Sequence, residues 1–125
     1  MALEPLEIHV IADSTGETAA RLARAAQAQF ENTACTIVRH PRVSTGEALF
    51  AIFAQLRAAE NTPRRVVLFT LVNKAMRDLV STTCGELGIA CADLLGGTLA
   101  AFEQATGAHP DEVMRRPVGV EADYF

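Results

Sequence analysis

The apolar positions of this chain switch repeatedly between the tight runs of a β-strand and the three-to-four-residue spacing of a helix. Leu6 to Ala12 is a mostly apolar run ending at Asp13, and from Ala19 the spacing turns helical, with Ala19, Leu22, Ala23, Ala26 and Phe30 on one stripe. A strand followed by a helix is predicted. Ala34 to Arg39 is β-branched and strand-like, Pro41 breaks the run, and Leu49, Ile52, Phe53 and Leu56 form a second helical stripe. Arg65 to Val72 holds Val66, Val67, Leu68 and Phe69, too continuously apolar for a one-faced strand, which predicts a central strand covered on both sides. Its helix carries Met76, Leu79, Val80, Cys84 and Leu87, and Gly88 suits a left-handed C-terminal cap. Ile89 to Ala92 predicts a short fourth strand, and Leu99 with Phe102 a last helix closed by Gly107.

Successive βα units ask for parallel pairing with right-handed crossovers. The fold class is therefore α/β: an open parallel sheet of about four strands with helices on both faces, a three-layer domain of the Rossmann-like or flavodoxin-like kind. The predicted domain spans residues 1–107. Beyond it His109, Pro110, Pro117 and Gly119 interrupt every periodicity, and Asp123, Tyr124 and Phe125 follow without a closing element, so 108–125 reads as a linker-like tail.

Composition narrows the classes. A chain of 125 residues, half of them hydrophobic, is long enough for one packed core. Its net charge of -4, with scattered arginines, argues against a nucleic-acid surface, which needs basic residues gathered on one face, and against an acidic membrane. Nothing approaches a membrane-spanning apolar run, and Glu4 and Glu7 stand where a signal peptide would be basic, so a cytoplasmic protein is expected. Cys35, Cys84 and Cys91 form no C-x-x-C pair and no even set; they read as buried thiols rather than zinc ligands or a bridge, and no metal site is predicted.

The chemistry-bearing segment is Asp13-Ser14-Thr15-Gly16-Glu17-Thr18, where the first strand turns into the first helix. Free backbone N–H groups and the positive end of the helix dipole converge at such a turn and favour an anion. A competing reading is a capping box, since Ser14 and Glu17 have the S-x-x-E spacing. Ser44-Thr45-Gly46-Glu47 repeats the tetrapeptide before the second helix, and Asp13 is what the repeat lacks. Lys74, the single lysine, has no glycine beside it, so there is no Walker loop, and no G-x-G-x-x-G occurs. Ligands of open parallel sheets sit beyond the strands' carboxyl ends, which gathers Asp13, Ser14, Thr15 and Gly16 with His40, Arg42, Thr70, Asn73 and Asp93 as a candidate crevice. There Arg42 would pair with a phosphate or carboxylate, and Asp13 and Asp93 with a proton or a metal-bound water. For each of these residues, ordinary loop solvation is the other reading. His9, inside the first strand, reads as a core or edge histidine, and His109 carries no role.

The run Ile8 to Ala19, with Gln29-Phe30 closing the helix, resembles the start of the regulatory proteins of pyruvate, phosphate dikinase; Phe69-Thr70-Leu71-Val72, Asp93-Leu94-Leu95-Gly96 and Asp123-Tyr124-Phe125 match later signposts in the same order. Sister proteins that act on phosphoenolpyruvate synthase share the layout, and the dikinase branch is the closer. The resemblance implies a bifunctional serine/threonine kinase and phosphorylase. Such an enzyme phosphorylates a threonine of its target with ADP and removes that phosphoryl group with phosphate. ADP and phosphate, with magnesium as a candidate ion, then belong to the parent enzyme, whose P-loop-bearing C-terminal half this chain lacks. No catalytic residue is expected in this chain, and no cofactor is assigned to it. The implied partner is the dikinase or the synthase, with a homodimer as a candidate assembly. Two rivals remain: a stand-alone, non-catalytic module binding the dikinase or a phosphorylated ligand, and a flavodoxin-like or response-regulator-like domain.

Overall fold

The computed structural model describes residues 5–30, 32–59 and 64–114. Its elements run β1 (Leu6–Ala12), α1 (Glu17–Gln27), β2 (Cys35–His40), α2 (Gly46–Ala58), β3 (Arg64–Thr70), α3 (Lys74–Leu87), β4 (Ala90–Asp93) and α4 (Gly96–Thr106). The four strands form one parallel sheet in the order β2-β1-β3-β4, giving the open α/β three-layer arrangement that the pattern predicts. From β1 the chain goes to one neighbour, β2, and then crosses back past β1 to the other, β3. Right-handed connections therefore place α1 on one face and α2 and α3 on the other.

Side-chain parity follows that division. Ile11, Val67 and Phe69 point to the α2 and α3 side and are buried among Leu49, Phe53, Leu56, Leu71 and Val80. Ile8 and Val10 point the other way, onto Ala19 and Ala23 of α1. Alanines let α1 approach the sheet closely. The stripe predicted for α1 is only partly buried, since Leu22 is 48% and Phe30 65% exposed. The predicted two-sided cover of β3 is also incomplete. Val67 and Phe69 are fully buried, whereas Val66 and Leu68, which face the α1 side, are half-buried. One helix on that face does not span the sheet. Neither β4 nor α4 buries any residue.

Gly88 and Gly107 take the left-handed conformation and end α3 and α4, as their positions predict. The segment expected to be linker-like carries no helix or strand through residue 114, but it touches the body of the domain. The Lys74 N–H at the start of α3 donates to Glu112 Oε1 at 2.8 Å, and Met114 packs against the larger core. Pro117, Gly119 and Asp123-Tyr124-Phe125 lie outside the described residues. No described helix is long and apolar enough to cross a membrane.

Candidate functional site at the carboxyl end of β1

The chain leaves β1 and β3 toward opposite faces of the sheet, so the switch point lies between their carboxyl ends. A cavity of about 230 Å³ opens there. Asp13, Ser14, Thr15, Gly16, Glu17, Thr18, Thr70 and Leu95 line it. Of the candidate crevice residues, Asp13, Ser14, Thr15, Gly16 and Thr70 are thus brought together. Glu17, Thr18 and Leu95 join them.

Asp13 follows directly on the buried end of β1 and is 6% exposed. Its Oδ2 accepts from the Val72 N–H at 2.9 Å, and its own N–H donates to the Thr70 carbonyl at 3.4 Å. The carboxylate therefore ties the β1–α1 turn to the loop after β3. Gly16 sits at φ 83°, a left-handed backbone that glycine adopts without a Cβ penalty, and it is the N-cap of α1.

The capping box expected at Ser14 and Glu17 does not form. The N-cap Gly16 has no side chain to offer, the Thr15 Oγ1 accepts from the Glu17 N–H at 3.3 Å, and the Glu17 carboxylate turns to Arg21 at 3.1 Å and Arg39 at 3.3 Å. The hydrogen bond from Arg21, then its charge and that of Arg39, hold the Glu17 carboxyl below its usual range. The repeated tetrapeptide behaves otherwise at α2. There Thr45 is the N-cap, in an extended conformation, and its Oγ1 accepts from the Ala48 N–H at 3.1 Å. The same four residues thus meet their helices differently: Thr45 reaches the N–H three residues on, Thr15 the N–H two residues on. The positive end of α1 faces the cavity, with the Thr15 hydroxyl on its first N–H and the Asp13 and Glu17 carboxylates in the same lining.

The other predicted residues have different tasks. Arg42 has φ 56°; its N–H donates to the Ser14 carbonyl at 2.8 Å, and the Val43 N–H to the Ala12 carbonyl at 2.9 Å. The β2–α2 loop thereby braces the turn through its backbone, while the Arg42 side chain is not part of the lining. Asn73 caps α3 by accepting from the Met76 N–H at 2.9 Å. Asp93 is committed to the fold: Oδ1 accepts from the Leu95 and Gly96 N–H groups at 3.1 and 2.7 Å, and Oδ2 lies 3.4 Å from Arg77 Nε. A Cβ on Gly96 would overlap that carboxylate.

His40 is not in the crevice. Its Nε2 lies 3.0 Å from His9 Nδ1, the rings stack at 5.3 Å, and His9 Nε2 meets Glu7 Oε1 at 3.0 Å. Burial, and then the neighbouring His9, push the His40 pKa down. His9 is the buried core histidine that its position predicts. The pairing itself escaped the sequence reading, although Glu7 and His9 share a strand face. Of the three cysteines only Cys84 is fully buried; Cys35 is half-buried and Cys91 exposed, because β4 lies uncovered at the sheet edge. Burial and the Cys91 thiol push Cys84 up to about 12.

No lysine or arginine lines the cavity, and no group of three or more His, Cys, Asp or Glu is placed to hold a metal among the described residues. The lining carries hydroxyls and two carboxylates, Asp13 and Glu17, and offers no cation to neutralise charge developing in a phosphoryl transfer.

A family model described as kinase/pyrophosphorylase matches residues 8–125. A Cutibacterium acnes protein named as a pyruvate, phosphate dikinase regulatory protein is 56% identical over 126 residues, covering 100% of this chain and 43% of that protein. Proteins of the same name from Erythrobacter litoralis and Rhizobium etli are 38% and 33% identical, over 98% and 94% of the chain. The chain spans less than half the length of these curated relatives.

Proposed function

The chain belongs to the kinase/pyrophosphorylase family, and from that premise we propose that it forms the N-terminal part of a bifunctional enzyme regulating pyruvate, phosphate dikinase. In one direction a threonine hydroxyl of the dikinase takes the terminal phosphoryl group of ADP, leaving AMP. In the other, inorganic phosphate takes that phosphoryl group from the phosphothreonine, giving pyrophosphate and restoring the hydroxyl. The observation that carries this reading is the family match through residue 125, together with the name shared by relatives more than twice as long as their matched stretch.

The geometry supports a division of labour. The strand-to-helix turn at Asp13 to Thr18, at the positive end of α1, takes up a phosphate oxygen, while the neutralising lysine, the nucleotide loop and any magnesium belong to the rest of the parent. ADP and phosphate are the small-molecule substrates, the dikinase is the protein partner and the cytoplasm is the compartment.

The deciding experiment incubates the full-length gene product with the dikinase and ADP and follows phosphothreonine by mass spectrometry. We expect phosphorylation by the full-length product, its reversal by phosphate, and none by residues 1–125 alone. Phosphorylation by the short chain would refute the division of labour. A full-length product that leaves the dikinase unmodified would refute the function.

A further inference from the structure

The two faces of the sheet are unequally covered. Two helices, α2 and α3, cover one face, and the buried side chains there include Ile11, Val67 and Phe69. On the other face α1 alone packs down, through Ala19 and Ala23. Beside α1, toward the amino ends of the strands, a cavity of about 450 Å³ opens between helix and sheet; Leu6, Ile8, Ala26, Phe30, Val66 and Leu68 are among its lining. Phe30 stands 65% exposed at this site. The cavity lies at the opposite end of β1 from the Asp13 turn, so the anion site does not account for it. Contiguous exposed apolar surface of this kind marks an interaction site.

The C. acnes relative supplies a candidate occupant, since 43% of its length is matched and more than half of its chain therefore lies outside the matched stretch. We infer that the α1-side cavity is the seat of that remaining part of the parent polypeptide. It would set an amphipathic helix beside α1 and insert aliphatic or aromatic side chains between α1 and the β1–β3 face. A helix about 10 Å across matches the space that a second helix takes up on the opposite face. Covalent attachment holds such a segment at high effective concentration, so a shallow apolar seat suffices. The inference rests on the reading of the chain as part of a longer family member.

The test places a charge in the seat. Ala26→Glu is made in residues 1–125 and in the full-length gene product, with Phe50→Glu, on exposed α2, as the control. Far-UV circular dichroism checks that each variant folds. In the short chain the wild type is expected to bind an apolar fluorescent dye and Ala26→Glu to lose that binding without a change in urea midpoint. In the full-length product dye binding is expected to be absent. Ala26→Glu should restore it and raise the rate of limited proteolysis between the two parts at least tenfold, with Phe50→Glu silent. Equal dye binding by the long and short proteins, or an unaffected full-length Ala26→Glu, overturns the proposal. So does a dimer of the short chain that Ala26→Glu dissociates, which would seat a second copy there instead. Full-length product that still phosphorylates the dikinase while Ala26→Glu changes nothing refutes the seat alone. A native product of 13.4 kDa refutes the longer parent together with the seat.

Discussion

Asp13→Ala should cost the domain about 2 kcal/mol, because it leaves a backbone donor without its acceptor. The Asp13 carboxylate is almost wholly buried and accepts the Val72 N–H at 2.9 Å. Net hydrogen bonds to charged groups contribute roughly 1.5–3 kcal/mol, and an abandoned donor costs about 1–3 kcal/mol. Relief from burying the charge offsets part of this, and Val72 is half-buried, so some water can reach the donor. Asp13→Asn retains an acceptor of the same shape but loses the charge assistance, which makes up about half of the bond, so about 1 kcal/mol is expected. Urea unfolding followed by far-UV circular dichroism reads both, with the m-value unchanged. For a chain of this length the alanine variant should melt roughly 6–10 °C lower. An alanine variant within about 0.5 kcal/mol of wild type would show that the β1–β3 tie is not made. Asparagine as damaging as alanine would show that charge, not the hydrogen bond, is what matters.

Three further outcomes are expected. Neutral His40 is favoured by folding, and an unfolded histidine takes its proton near about pH 6.5. This stabilisation is therefore complete above about pH 6.5 and is lost as pH falls from there toward the lowered folded pKa; the urea midpoint should drop from pH 7.5 to 5.5 less steeply in His40→Asn than in wild type, and equal slopes would refute the account. With its pKa pushed up to about 12, Cys84 is about one part in ten thousand thiolate at pH 8. Iodoacetamide should alkylate exposed Cys91 and spare Cys84 in the folded chain, and comparable labelling of both by peptide mass spectrometry would contradict this. Thr45→Ala should cost about 1 kcal/mol through the lost α2 cap, whereas Thr15→Ala, which gives up only a 3.3 Å contact with the Glu17 N–H, should cost less by the same urea assay; equal losses would mean that both tetrapeptides cap alike.

The candidate site was legible where it depends on topology and hidden where it depends on rivalry between partners. Asp13 to Gly16 and Thr70 converge because parallel strands deliver their carboxyl ends to one edge; the run of βα units calls for that parallel pairing, while the order β2-β1-β3-β4, which places the switch point beside β1, came only with the structure. Asp93 occupies the same edge, yet its carboxylate is claimed by the Leu95 and Gly96 N–H groups and by Arg77. Arg42 reaches the turn only through its backbone. A residue's place along a strand says which edge it meets, but not which of several nearby donors will take its side chain.

What the sequence by itself determined is the alternation of strands and helices and hence the parallel sheet, because periodicity and punctuation at Pro41, Gly88 and Gly107 are local signals. Tertiary structure alone decided that the two Ser-Thr-Gly-Glu copies meet their helices differently, Thr45 reaching the Ala48 N–H and Thr15 the Glu17 N–H. The Asp13 carboxylate and the Arg42 N–H tie the first copy to the loops after β3 and β2, and Gly16 there is left-handed. It also decided that His9 meets His40, that Cys84 sits buried beside Cys91, and that one face of the sheet stays half uncovered. Each of these depends on what a distant segment brings to the contact, and no window of neighbouring residues carries that information.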